Sequence, residues 1–218
     1  MLRVAIDGPG GAGKSTISKI VAEKLNIEYI DTGAMYRAIT LKMKRAGISP
    51  DDVEAVKRAL ESTEVDFIGG KIYLDGEDVS NEIRNEEISK NASFYSKLAP
   101  VRKKLGDIQK EIAGSKNVLM DGRDIGTNVI PNAELKIFLT ADASVRAERR
   151  VKQLRETGNE ADFNEVLEDI KRRDYQDSTR KLNPLKQAED AELLDTSHMT
   201  IDEVVCTIVN KAKKRIKG

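Results

Sequence analysis

The stretch that most restricts how this chain can fold is "GPGGAGKS", residues 8–15. A short apolar run, "LRVAID" (2–7), precedes it, and the amphipathic pattern "STISKIVAEKL" (15–25) follows it. Glycines let the backbone fold so that its N–H groups point into one concavity, which the N-terminus of the following helix makes more positive. The pattern G-x-x-x-x-G-K-S between a strand and a helix therefore predicts a loop that binds the phosphates of a nucleoside triphosphate.

Residues in and near this loop have separate predicted roles. Lys14 can reach the β- and γ-phosphates, and the hydroxyl of Ser15 can ligate Mg²⁺, the expected cofactor. Asp121 ends a later apolar run, where an acid commonly helps to hold Mg²⁺ or its waters. The residues predicted to bind the donor nucleotide are Gly8, Pro9, Gly10, Gly11, Ala12, Gly13, Lys14, Ser15 and Thr16.

The rest of the chain alternates short apolar runs with helical patterns, which is typical of a parallel sheet covered by helices on both sides. The runs predicted as strands are residues 2–7, 28–31, 117–121, 135–140 and 191–195. With the phosphate loop, they predict an α/β fold of the P-loop NTPase type, in which helices flank a five-stranded parallel sheet.

Two stretches interrupt this alternation. The first, "VDFIGGKIYLDGEDVS" (65–80), carries the Gly-Gly and Asp-Gly pairs of tight turns and predicts a small antiparallel insert. The second, "RETGNEADFNE" (155–165), is polar and poorly periodic, the composition of a mobile flap. Because no internal repeat or low-complexity linker is evident, we predict a single domain over residues 1–218.

Composition excludes several classes of function. The 37 basic and 37 acidic residues cancel, which argues against general attraction to nucleic acid or to an anionic membrane. No apolar run approaches the ~20 residues that span a bilayer. The single cysteine, Cys206, permits no internal disulfide, so we expect a reducing, cytoplasmic location, and its helical spacing predicts that it packs in the core. With one histidine, His/Cys zinc sites are also excluded.

Two arginines lie just beyond predicted strand ends, Arg37 in "DTGAMYR" and Arg123 in "DGRDIGT". Ligands of open parallel sheets bind outside the carboxyl ends of the strands, so both arginines are expected near the phosphate loop. A phosphate acceptor, whose second pKa is about 6, needs such positive charge more than a general base. The alternatives are a structural salt bridge from Arg123 to Asp121 or Asp124, and a solvated position for Arg37.

Asp124 is expected to serve another purpose than Asp121, because it is displaced from the strand and would repel an acceptor phosphate. It is better suited to face a hydrogen-bond donor. The exocyclic amine of cytosine is such a donor, whereas uracil presents an acceptor oxygen at the same place. A kinase for a small acceptor is therefore favoured, and the guanine-reading N-K-x-D of GTP-binding switches is absent after the later strands.

From end to end, the chain resembles the bacterial cytidylate kinases. The resemblance rests on "IDGPGGAGKST", "DTGAMYRA", "LDGEDVSNEIR", "NASFYSKLAPVR", "DGRDIGT", "IFLTADASVRAERR", "RRDYQDSTR" and "LDTS", in this order. It implies an enzyme that transfers the γ-phosphate of ATP to CMP or dCMP, and a monomer is the default expectation for a small kinase of this type. It also implies a nucleoside monophosphate-binding insert at residues 62–98 and a lid at residues 150–168.

The resemblance further implies roles for individual residues. Thr32 and Arg37, with Arg123, would hold the acceptor phosphate. Ser93, Arg102 and Asp124 would read cytosine. Arg173 and Asp177 would contact the ribose, and Arg180 would lie near the phosphates. The residues implied to act in catalysis are Lys14, Arg37, Arg123 and Arg180.

Several alternatives stay open. Arg146, Arg149 and Arg150 are candidate contacts of the donor phosphates or members of a solvated helix face. Arg173 and Asp177 have the i,i+4 spacing of a surface ion pair on a helix. For function, the alternatives are a P-loop kinase for another small acceptor, such as UMP or a sugar, and a P-loop regulatory ATPase with a protein partner.

Overall fold

The computed structural model describes residues 1–156 and 158–216, without the side chains of residues 86 and 216. The described chain divides into two compact units. Unit 1 comprises Met1–Tyr29 and Asn117–Gly218, and unit 2 comprises Ile30–Lys116. The single domain, the insert at 62–98 and the lid at 150–168 stay predictions, and residues 157, 217 and 218, which they include, lie outside the described residues.

The described residues form eight strands and eight α-helices. The strands are β1 (Arg3–Asp7), β2 (Glu28–Asp31), β3 (Val65–Ile68), β4 (Lys71–Leu74), β5 (Glu77–Asp78), β6 (Val118–Gly122), β7 (Leu135–Thr140) and β8 (Glu192–Asp195). The helices are α1 (Lys14–Leu25), α2 (Thr32–Arg45), α3 (Val53–Glu61), α4 (Glu86–Tyr95), α5 (Ala99–Ser115), α6 (Ala143–Glu156), α7 (Phe163–Thr179) and α8 (Ile201–Ile216).

Five of these strands form the predicted parallel sheet, in the order β2-β6-β1-β7-β8. The chain passes from unit 1 to unit 2 within β2. In the register of β1 with β6, Asp7 lies beside Gly122, so the phosphate loop and the "DGRDIGT" segment leave the sheet at the same edge. The fold class predicted from the alternation of strands and helices is confirmed, with each strand boundary within one residue of its prediction.

Helices α1 and α8 pack on this sheet in unit 1. Ile17 and Val21 of α1 and Val204 and Ile208 of α8 share the buried core with strand residues. The prediction that Cys206 packs in this core is wrong, because Cys206 is exposed. The buried residues of α8 recur at 204, 205, 208, 209 and 212, and a helix of 3.6 residues per turn places position 206 on the opposite side.

Unit 2 contains the predicted antiparallel insert, a three-stranded sheet in the order β3-β4-β5. Gly69 and Gly70, both with positive φ, make the turn between β3 and β4. Helix α2 packs against α4, α5 and β4, and it buries Met35 and Ile39. None of the described helices combines the length and the apolar composition that a membrane crossing requires.

Candidate active site

The phosphate loop connects β1 to α1 and has the backbone that its glycines allow. Gly8 has a φ of 153°, and a Cβ at this position would lie 1.9 Å from the carbonyl oxygen of Leu139 in β7. Only glycine fits there without displacing the neighbouring strand. Gly13 is the N-cap of α1 with a φ of 86°, and no side chain caps this helix. The first N–H groups of a helix have no carbonyl partner within it, so this end suits an anion.

Lys14 is buried and reaches back over the loop. Its Nζ donates to the carbonyl oxygens of Gly8, at 2.8 Å, and of Pro9, at 2.7 Å. Burial, and then the positive charge of Arg123, lower the pKa of Lys14 to about 7. Phosphate groups close to this amine would favour its charged form. Triphosphate binding is therefore expected to stabilise the protonated lysine.

Ser15 and Asp121, the two residues predicted to hold Mg²⁺, are hydrogen-bonded to each other. The Ser15 hydroxyl donates to Oδ2 of Asp121 at 3.1 Å, and the Tyr29 hydroxyl donates to Oδ1 at 3.0 Å. Among the described residues, no group of three or more His, Cys, Asp or Glu side chains could hold a metal ion. A hydroxyl and one carboxylate fit an ion that takes most of its ligands from phosphates and water, as Mg²⁺ does.

Asp7, the last residue of β1, is a buried acid that the sequence analysis did not single out. Its Oδ1 accepts a hydrogen bond from the backbone N–H of Ile125 at 2.8 Å, and its Oδ2 accepts one from Gly126 at 2.7 Å. Burial raises the pKa of Asp7 to about 6, against the lowering effect of these two hydrogen bonds. Asp7 thus fixes the turn that directly follows Arg123 and Asp124.

That turn, Ile125–Val129, is π-helical, with a hydrogen bond from the N–H of Ile130 to the carbonyl of Ile125 at 2.8 Å. Such turns are rare and frequently occur at functional sites. Within it, Asn128 donates to Oδ2 of Asp124 at 3.2 Å. The sequence around "DGRDIGT" gave no indication of this geometry.

Arg123, Asp124, Asp177 and Arg180 form a network of two arginines and two acids in unit 1. Nε of Arg123 donates to Asp177 at 2.8 Å, and Nη2 of Arg180 donates to Asp124 at 3.1 Å. The side chains of Arg180 and Asp124 are each only 8% exposed, so this second pair is buried. Nη1 of Arg180 also lies 3.7 Å from Asp177. The structure thus joins two pairs of predicted site residues, 123/124 and 177/180, that lie more than fifty positions apart in sequence.

The network shows which ion pairs form among those that the sequence left open, and the binding roles of these residues stay predictions. The acid that pairs with Arg123 is Asp177, and the ion pair of Asp124 is with Arg180. Asp177 is directed to these arginines and makes no i,i+4 ion pair with Arg173 among the described contacts. Arg173 is half-buried, and burial lowers its pKa from the usual arginine range.

The three arginines of "RAERR" have different surroundings. Arg146 is buried, donates to the carbonyls of Ala141 and Gly10, and pairs with Asp174. Arg149 donates to the carbonyl oxygen of Thr196 at 2.7 Å, and Arg150 donates to Gln153. A fully solvated helix face therefore does not describe Arg146. Contact of the three residues with donor phosphates stays a prediction.

Four predicted site residues lie in unit 2: Thr32, Arg37, Ser93 and Arg102. Thr32 is buried at the start of α2, and Arg37 pairs with Asp31 at 3.1 Å. The Ser93 hydroxyl donates to the carbonyl of Lys90 at 2.8 Å. Arg102 is buried, donates to the carbonyl of Ser96 at 3.1 Å, and lies over the Tyr36 ring, 5.7 Å from its centroid.

Solved structures with a similar fold include small-molecule kinases. Shikimate kinase from Bacteroides thetaiotaomicron aligns with a TM-score of 0.52 and 16% identity, over 97% of this chain and 98% of that chain. A gluconokinase from Sinorhizobium meliloti aligns with a TM-score of 0.50 and 14% identity, over 98% and 92% of the two chains. At this level of identity, the likeness shows the fold alone.

Comparison of sequences is more specific. The family model described as cytidylate kinase matches residues 4–214. A cytidylate kinase from Clostridium botulinum strain Hall is 51% identical over 213 residues, which cover 96% of this chain and 98% of that protein. A cytidylate kinase from Caldicellulosiruptor bescii is 48% identical over 221 residues, which cover 100% of this chain and 98% of that protein. This chain belongs to the cytidylate kinase family.

Proposed function

We propose that the protein transfers the γ-phosphate of ATP to CMP or dCMP. Beyond the family, the observation that carries the proposal is the network of Arg123, Asp124, Asp177 and Arg180 in the unit that holds the phosphate loop. It supplies two fixed positive charges for phosphates and one buried carboxylate that can recognise an amine. A sugar acceptor without a phosphate or an amine would not require this combination of charges.

On the donor side, we propose that the residues of the loop from Gly8 to Thr16 hold the triphosphate through their backbone N–H groups. Lys14 would leave the carbonyls of Gly8 and Pro9 to contact the β- and γ-phosphates. Ser15 and Asp121 would hold Mg²⁺, whose charge would offset that of the donor phosphates.

On the acceptor side, no general base is needed, because the second ionisation of a phosphate monoester has a pKa of about 6. We propose that Arg123 and Arg180 stabilise charge on the transferring group. Their acidic partners already fix both guanidinium groups, so little reorganisation accompanies the reaction. Asp177 and Arg173 are proposed to contact the ribose.

Asp124 is proposed to accept a hydrogen bond from the cytosine amine. A carboxylate has about four acceptor sites, so Asp124 can do this while it pairs with Arg180 and accepts from Asn128. In unit 2, Thr32 and Arg37 are proposed for the acceptor phosphate, and Ser93 and Arg102 for the base. A cytoplasmic monomer with no nucleic-acid partner also remains our proposal.

The test is a panel of acceptors assayed with ATP and Mg²⁺: CMP, dCMP, UMP, AMP, shikimate and gluconate. We expect the highest kcat/KM for CMP or dCMP, and a loss of activity when EDTA removes Mg²⁺. Faster turnover of UMP or a sugar would contradict the proposal, as would ATP hydrolysis that is indifferent to CMP.

A further inference from the structure

One buried side chain lies directly against the phosphate loop from outside it. Arg146, in the first turn of α6, is 5% exposed, and its Nη1 donates to the carbonyl oxygen of Gly10 at 3.0 Å. Its Cβ lies 3.3 Å from the position that a Cβ on Gly11 would take, so the two backbones are close. Nε donates to Ala141 at 2.8 Å. Arg146 therefore supports the middle of the loop.

Asp174 of α7 fixes the orientation of this guanidinium group. It accepts two hydrogen bonds from Arg146, at 3.1 Å from Nη1 to Oδ1 and at 2.7 Å from Nη2 to Oδ2. Two parallel hydrogen bonds set the plane of an arginine as well as its position. Because Nη1 is shared between Asp174 and Gly10, the carboxylate also determines where the donor to the loop lies.

Helix α7 thus carries two acids, one turn apart, that face different parts of the site. Asp174 acts on the phosphate loop through Arg146, whereas Asp177 pairs with Arg123 of the acceptor side. Residues three apart share one face of a helix, so this division requires no bend in α7.

We propose that Arg146 and Asp174 are a positioning pair for the donor nucleotide. They hold the Gly10–Gly11 segment in the conformation that binds the donor phosphates, without contacting the substrates themselves. The identity of the nucleotide rests on the proposed function, but the mechanical role requires only that the loop binds phosphate. Loss of the pair should therefore weaken donor binding selectively.

The test uses Asp174→Asn, which keeps the shape of the side chain and removes its charge. A matched control on the same helix is Asp169→Asn, because Asp169 pairs with Arg172 at 2.8 Å where the side chains are 45% and 65% exposed. Binding of Mg-ADP and of CMP is measured separately by calorimetry, with thermal unfolding in parallel. We expect Asp174→Asn to weaken Mg-ADP binding between about 10-fold and about 100-fold. CMP binding should change less than about twofold, and the control should match wild type.

A second variant separates positioning from stability. Arg146→Met combined with Asp174→Leu replaces the buried pair by apolar groups, a change that often retains stability. We expect this double variant to unfold near the wild-type temperature, and we expect its affinity for Mg-ADP to remain lower than that of wild type. If Asp174→Asn fails to fold, Asp174→Glu and Arg146→Lys test the same hydrogen bonds with the charge retained, and both should weaken Mg-ADP selectively.

Three outcomes would overturn the proposal: unchanged Mg-ADP affinity in folded variants, equal losses for Mg-ADP and CMP, or full Mg-ADP affinity in the double variant. Direct binding of Mg-ADP requires no acceptor. A protein that does not phosphorylate CMP but shows the selective loss would therefore contradict the proposed function and leave the positioning role intact.

Discussion

The candidate residues of the two units are held in different ways. In unit 1, Asp7, Arg123, Asp124 and Arg180 are bonded to groups that lie far away in sequence. In unit 2, Ser93 bonds to a carbonyl three positions away and Arg37 to the carboxylate of Asp31 six positions away. Long-range bonds fix a side chain relative to the sheet, whereas local bonds fix it only to its own helix. We expect changes in unit 1 to reduce the rate of the chemical step and changes in unit 2 to alter acceptor affinity.

The largest expected effect tests the unit 1 side of this comparison. Arg123→Ala removes a charge that Asp177 holds in place, and we expect a loss of about 10²–10³ in kcat, or ~2.7–4 kcal/mol of transition-state stabilisation. Steady-state kinetics with saturating ATP and CMP measures it. Lys103→Ala, at an exposed i,i+4 pair in α5, is the control. A loss of less than about twofold would remove Arg123 from the site.

The next effect concerns Asp7 and the dependence of stability on pH. Its pKa is raised from 3.8 to about 6 in the folded protein, so the folded state binds more protons than the unfolded state between these values. The contribution of Asp7 to the free energy of unfolding is therefore present below pH 3.8 and is lost as the pH rises through about 6.

Asp7→Asn removes this titration. Denaturant unfolding at pH 4, 5, 6 and 7 should show that the stability of wild type relative to the variant falls with rising pH, by about 1.4 kcal/mol per unit of pKa shift. A constant offset between the two curves would mean that Asp7 ionises normally. The variant should also lose kcat, because the turn after Arg123 and Asp124 loses an acceptor.

A smaller effect tests the unit 2 side. Ser93→Ala breaks a local hydrogen bond, for which we expect a stability change of about 0.5–1.5 kcal/mol. KM for CMP should rise while kcat stays close to wild type.

Asp124→Asn, in contrast, should reduce the preference for CMP over UMP by about 1–3 kcal/mol and also lower kcat. If Ser93→Ala and Asp124→Asn raised KM and lowered kcat to the same extent, the distinction between the units would be removed.

The smallest effect is expected at Cys206. Because its side chain is exposed on α8, Cys206→Ser should change the free energy of unfolding by no more than about 0.5 kcal/mol. A buried cysteine replaced by serine would cost more. Thermal unfolding with Val205→Ser, a buried neighbour, as the contrasting variant provides the comparison.

Local patterns in the sequence were sufficient for the fold and for the phosphate loop. Apolar runs bounded by glycine or aspartate were sufficient to predict the strands of the parallel sheet. The helical period was sufficient to place Cys206 outside the core, because residues 204, 205, 208, 209 and 212 share one face of α8 and position 206 lies away from it, but the apolar run around it was interpreted as a whole.

The bonds that join the site could not be predicted, because they connect distant positions through tertiary packing. The hydrogen bonds of Asp7 to Ile125 and of Arg146 to Gly10 span 118 and 136 positions. No spacing rule relates such residues. The only available signal was weak: Asp7 is an acid at the end of a buried strand, the same feature that identified Asp121.

The side chain of Lys14 bonds to the phosphate loop itself. Because its ammonium group donates to the carbonyls of Gly8 and Pro9, Lys14 links two parts of the loop in the folded chain. When a nucleotide binds, its phosphates would replace these two carbonyls as partners of the Lys14 ammonium group, and no disordered segment would have to fold. We expect association to be limited by diffusion and by this exchange of partners, so that its rate reports little about the flexibility of the backbone.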